Sequence, residues 1–269
     1  AIKQKHLLYP DKGSAWQHFQ ELKDHPLMQT EIQSMKGELA AALQDEAQQS
    51  INNYLISDYR EIKARDKFDS NYLKFPEYLH RAAELLSPSH YLYKTIKARE
   101  TYFLGLNLRF RGEQSRDTSL FALAIEKQLA ALEWEPNAPY AFCELGYLHR
   151  ELKHFIKAIE YCNLAIAQSP KWIMPRITLM KTYRLMGGQM ERYEGVAQEI
   201  VRIDSNSYLA RYNLGVAYSN SKKWSKAEEE YKVALAISPN DRETLFNISF
   251  VYYQQSKWAE AEKAVATLM

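Results

Sequence analysis

The second half of this chain repeats itself every 34 to 35 residues. Three stretches align, Tyr140 to Pro170, Ile173 to Ser205 and Tyr208 to Pro239, and a shortened fourth runs from Arg242 to Met269. Leu145-Gly146 returns 69 residues later as Leu214-Gly215, and over the same interval Ala158, Ala165 and Pro170 return as Ala227, Ala234 and Pro239. Small residues inside each of two helices, with a proline closing the unit, describe helical hairpins stacked in a row. Glycine at 146 and 215, and alanine at the four positions named, let the two helices of a hairpin approach closely.

The remainder of the chain divides around this array. Residues 1–44 read as an N-terminal helical lead-in or cap. In it Asp11-Lys12-Gly13-Ser14 forms a turn that caps a helix from Ala15, and Thr30-x-x-Gln33 opens the next as a capping box. An apolar stripe at three- and four-residue steps then runs from about residue 31 to 57. The charged segment Ile62 to Phe75 carries no stripe and is expected to be a loop or linker. Residues 45–90 form a degenerate hairpin, whose Ala83 and Pro88 stand as Ala165 and Pro170 do. Residues 91–136 form a repeat with a seven-residue insertion around Gly112 to Asp117. Then come 137–170, a divergent unit at 171–205, 206–239 and a partial unit at 240–269. In the divergent unit Met180, Tyr193 and Ile200 replace the small residues and Gly187-Gly188 lengthens the turn, so it is expected to splay locally. Phe155, Trp224 and Trp258 hold one equivalent place before the second helix and read as plugs over the hairpin turn.

Composition agrees with long helices: nine glycines and nine prolines are few breakers for 269 residues. The net charge of +2 is spread along the chain, without the clustered basic footprint of nucleic-acid binding. No apolar run approaches the ~20 residues of a membrane span, so neither nucleic acid nor membrane is an expected partner, and a cytoplasmic protein is expected. The opening Ala1-Ile2-Lys3-Gln4-Lys5 lacks an initiator methionine, and Met269 falls inside a repeat's second helix, as in a piece of a longer protein. Cys143 and Cys162 read as inert buried thiols.

The period, Leu145-Gly146, Leu214-Gly215, the paired alanines and the closing prolines resemble the tetratricopeptide repeat (TPR) family. The resemblance implies an all-α, right-handed superhelical solenoid of about five antiparallel helical hairpins, with first helices lining a concave groove that binds a protein or peptide partner. Asn213 and Asn247 lie 34 residues apart, each just before a core position, and side-chain amides suit a peptide backbone. The equivalent places earlier are Glu144 and Thr178, so this ladder has two rungs. Its neighbours are Tyr140, Cys143, Tyr147, Ile177, Lys181, Arg184, Leu209, Tyr212, Val216, Asn220, Phe246, Phe250 and Gln254, which either line the groove or pack between hairpins. Family members that clamp a C-terminal carboxylate need lysine where this chain has Glu243, which argues against that clamp.

Glu46 to Leu55, Ala98 to Phe110 and Leu145 to Pro175 resemble the TPR-bearing C-terminal regions of bacterial caspase-like protease proteins, the nearest stretch being Ala165 to Arg176. That resemblance implies the alternative role of a regulatory or substrate-recruiting region of a larger bacterial enzyme. The chain itself carries no phosphate-cradling glycine loop, HExxH, CxxC or GxSxG. His149 and His154 are five apart, without a matching acidic or thiol partner for a metal. No catalytic residue, metal or cofactor is expected, and the chain reads as a scaffold rather than an enzyme. The open C-terminal end, with Phe250, Val265 and Leu268, offers a surface for self-association.

Overall fold

The computed structural model describes residue 2, residues 6–8 and residues 12–268. The expectations that rest on Ala1, Lys3 to Lys5, Asp11 and Met269 lie outside the described residues. Among the described residues there are fourteen α-helices and no strand. They divide into two compact units, 1–152 and 153–269.

The first unit holds α1 (Ala15–Leu22), α2 (Gln29–Leu55), α3 (Tyr59–Asp66), α4 (Asn71–Leu85), α5 (Tyr93–Ser115), α6 (Ser119–Trp134) and α7 (Pro139–Glu151). Ser14 caps α1 by accepting from the Gln17 amide, as the sequence predicts. α2 carries the long stripe, burying Ile32, Leu39, Leu43, Ala47, Ile51 and Tyr54. It packs on α4, α4 on α5, α5 on α6 and α6 on α7. The insertion at 112–117 is absorbed by helix: α5 is 23 residues long where α7 has 13, and Arg116 closes it in the left-handed region at φ 58°.

The expected linker at 62–75 is corrected by the structure. Tyr59–Asp66 is α3, capped by the Asp58 carboxylate on the amides of Arg60 and Glu61, and α4 begins at Asn71 with Pro76 in its second turn. The stripe is missing because the buried side of α3 is half polar, consisting of Ile62 and Arg65.

The second unit holds α8 (Phe155–Gln168), α9 (Met174–Met186), α10 (Met190–Ile203), α11 (Tyr208–Asn220), α12 (Trp224–Ile237), α13 (Arg242–Gln254) and α14 (Trp258–Ala266), each packed on the next. Ser207 and Asp241 cap α11 and α13 through the amides of Ala210 and Thr244. Ala158, Ala165, Ala227 and Ala234 are fully buried. A Cβ on Gly215 would lie 2.6 Å from the Tyr231 ring, so α11 and α12 touch where the repeat pattern demands a small residue. In the divergent unit Met180, Tyr193 and Ala197 share one buried cluster with Leu214. Gly187 and Gly188 turn there at φ +69° and +63°, a left-handed pair suited to glycine. Trp224 sits edge-on to Phe250 at 6.0 Å, half-buried, whereas Trp258 stays largely exposed against Tyr253.

Candidate partner-binding faces

Tyr102, Cys143, Ile177, Tyr212 and Phe246 stand at one repeat position, three residues before Gly105, Gly146, Met180, Gly215 and Ser249. In the first unit this position is covered by the chain itself. Arg65 on α3 donates from Nη1 to the Tyr102 hydroxyl at 2.6 Å and from Nε to Glu61 at 2.9 Å. Its guanidinium stacks on the Tyr54 ring, 3.7 Å from the centroid. Glu61 also accepts from Ser50 and Tyr72 at 2.7 and 2.8 Å, so the buried cation is paired and its carboxylate satisfied. The Tyr54 hydroxyl lies 3.9 Å from Cys143 Sγ, and Phe68 lies against Phe110 at 4.6 Å. Burial pushes the Tyr54 and Tyr102 phenols well above their ordinary range.

The three first-unit residues expected in the groove, Tyr140, Cys143 and Tyr147, belong to this packed region. Tyr140 is buried and donates to Glu135 at 2.6 Å, and Tyr147 donates to Glu113 at 2.7 Å. Tyr147 also lies between the guanidiniums of Arg109 and Arg150, 4.5 and 4.3 Å from its centroid. Arg109 meets Glu144 at 2.5 Å, off the hydrogen-bond direction, and Glu113 at 2.7 Å. Burial, outweighing Arg109, holds the Glu144 carboxyl above its usual range. Glu144 and Arg65 organise this face, and sequence reasoning gave neither a role; the signal was a charged residue at a first-helix position beside Cys143. Neither Cys143 nor Cys162 is in a disulfide, and both are buried as expected.

In the second unit the face is built from α9, α11 and α13. The asparagine rungs differ. Asn213 is 4% exposed and turns its amide back to the Leu209 carbonyl, 2.7 Å away on its own helix. Asn247 is half-buried and donates to the Tyr212 hydroxyl at 3.2 Å, joining α13 to α11. Tyr208 supports the same junction, its hydroxyl 3.0 Å from that of Thr244 and its ring stacked on Tyr212 at 5.9 Å. Asn220 donates to the Tyr193 hydroxyl at 3.2 Å. Lys181, Arg184, Asn220 and Gln254 are exposed, Leu209 and Val216 half-buried and Ile177 buried. Burial, then the carboxylate of Glu243, pushes the Tyr212 phenol up to about 12.

Along α13, Phe246, Tyr253 and Phe250 are 64%, 58% and 46% exposed. They recur at steps of four and three, so they form one stripe. Val265 is exposed and Leu268 half-buried at the far hairpin. Among the described residues, no group of histidine, cysteine and carboxylate side chains could hold a metal, and no helix is long and apolar enough to cross a membrane.

Residues 139–171 and 208–241 each match a family model described as a tetratricopeptide repeat. No curated protein matches the chain. Among solved structures, a double mutant of MamA RS-1 is 16% identical, covering 63% of this chain and 93% of its own, with a TM-score of 0.51. MamA from residue 41 onward, from Desulfovibrio magneticus RS-1, is 17% identical over the same shares, with a TM-score of 0.50. TTC0263, a thermophilic TPR protein of Thermus thermophilus, is 21% identical over 61% of this chain and 89% of its own, with a TM-score of 0.49. Identities this low bear on the fold alone. The two matches identify residues 139–171 and 208–241 as tetratricopeptide repeats, set in an all-helical array of hairpins.

Proposed function

We propose that the chain is a protein-interaction scaffold and that its second unit binds a partner segment against α11 and α13. The observation that carries this reading is the contrast between the two units at equivalent positions. Tyr102 and Cys143 are buried beneath the chain's own Tyr54 and Arg65, whereas Phe246 and its stripe partners Phe250 and Tyr253 face solvent. Three large exposed rings on one helix face are the kind of anchors that carry binding energy at interfaces. Tyr212, Asn247 and Asn220 border them with hydrogen-bonding groups, and Lys181 and Arg184 add charge. Asn213 contributes by position, holding α11 through the Leu209 carbonyl, rather than by offering its amide. Tyr140 and Tyr147 stabilise the first unit in this reading.

The test is selection of random displayed peptides on the immobilised full chain. Enriched binders should lose the protein when Phe246, Phe250 and Tyr253 are all replaced by alanine, with helicity by circular dichroism unchanged. Failure to enrich any binder, or binders held equally by the triple variant, would overturn this placement.

A further inference from the structure

In its first unit the chain shows how one of its own first-helix faces is filled. The occupant is a helix, α3, and it presents an arginine. Arg65 there meets the phenol oxygen of Tyr102 on the face itself, while the carboxylate of Glu61 on its own helix and the ring of Tyr54 on α2 complete its surroundings. In the second unit the face supplies the phenol oxygen, a carboxylate and a ring itself, from α11 and α13, without an arginine among them. Tyr212 stands at the repeat position of Tyr102 and its oxygen already takes a bond from Asn247, leaving acceptor capacity. Glu243 is exposed and stands one helical turn before Asn247, the α13 residue bonded to the Tyr212 hydroxyl, on the same side of that helix. Phe246 follows Glu243 by three residues on the same side of α13 and is mostly exposed.

We infer that the partner segment of the second unit is an α-helix that presents an arginine to Glu243, Tyr212 and Phe246. This rests on the second unit being the binding face. A planar guanidinium can pair with the carboxylate, donate to the phenol oxygen and stack on the ring at once, which an ammonium cannot. A helix is favoured because Phe246, Phe250 and Tyr253 repeat at a helical stripe, which an amphipathic helix matches with apolar residues three and four apart. Arg242, the nearest cation in sequence, leaves its own helix about 100° away from Glu243. Lys181 and Arg184 stand on α9, two first helices before it.

The test uses the peptides enriched on the full chain. Their sequences should share an arginine with apolar residues three or four positions away. Glu243→Gln should weaken those peptides about tenfold, the scale of one charge-assisted contact. Glu243→Lys should instead select peptides with a carboxylate at that place. Binders without a shared arginine, or binders indifferent to Glu243→Gln yet lost in the triple alanine variant, would overturn the arginine seat while leaving the binding face intact. Binders indifferent to both variants, or no binders, would overturn both. Arginine-bearing binders that lose affinity when their arginine becomes lysine would support the stacked geometry.

Discussion

Arg65 reaches from α3 to the hydroxyl of Tyr102 on α5, thirty-seven positions along the chain, and is buried the whole way. The contact ties an entry helix to the first repeat. Removing the cation strands the Glu61 carboxylate, which is 10% exposed, with hydroxyl donors only. Arg65→Met should therefore lower stability by about 3–5 kcal/mol, while Glu61→Gln with Arg65→Met should lose less. Urea unfolding checks this. A double variant as unstable as the sum of the singles would sink the pairing argument.

Gly215 lies against Tyr231 with no room for a methyl group. Alanine there gains about 1 kcal/mol of helix propensity but loses about 1–3 kcal/mol to overpacking. The net is a loss of about 1 kcal/mol, and combining Gly215→Ala with Tyr231→Leu should turn the glycine substitution favourable. Thermal melts of the four-member cycle give the sign.

Glu228 sets a pH response. Burial acts to raise its carboxyl, but hydrogen bonds from Lys232, Lys257 and Gln255 win and hold it near about 2, below the ordinary 4.5. A folded value below the unfolded one contributes stability above pH 4.5, and that contribution fades as pH falls from there toward 2. The lysines are substantially exposed, so the contribution at neutral pH is about 1–2 kcal/mol. Glu228→Gln should be less stable than the parent at pH 7, and the gap should narrow below pH 4.5 and close only below about pH 2 in denaturant titrations.

Lys153, Lys222 and Ser256 take left-handed backbone at φ 60°, 57° and 59°, at matching places before a hairpin's second helix. A side chain in that region costs about 1–2 kcal/mol, and glycine's extra unfolded freedom returns about half of it. Lys222→Gly is expected to raise the melting temperature by a few degrees, worth about 0.5–1 kcal/mol. A fall would show that the lysine stem contributes packing.

The repeat was legible because its spacing is enforced by contact: Gly215 against Tyr231 and the buried alanines leave no latitude in residue size. Helix α3 was not legible because Arg65 is polar, yet two of the rings that bury it, Tyr54 and Tyr102, stand 11 and 37 residues away in contacts that no local period reports. The asparagines mark the same limit. Asn213 and Asn247 are alike in sequence and spacing, but one bonds its own helix and the other bonds Tyr212. Which acceptor an amide finds depends on the ring opposite, and that is fixed by packing. The aromatic stripe on α13 was half visible: Phe246 and Phe250 stood among the expected groove residues, and Tyr253 completes them.

The covered face of the first unit has a consequence for competition. A helix held in the same chain by short connections to α2 and α4, which pack on each other, acts at an effective concentration of the order of millimolar. Any outside segment seeking Tyr102 must outcompete that standing occupant, so peptides of micromolar affinity see the first unit as closed. Under the proposed function, such ligands meet a single open unit, although the equivalent position recurs five times along the chain.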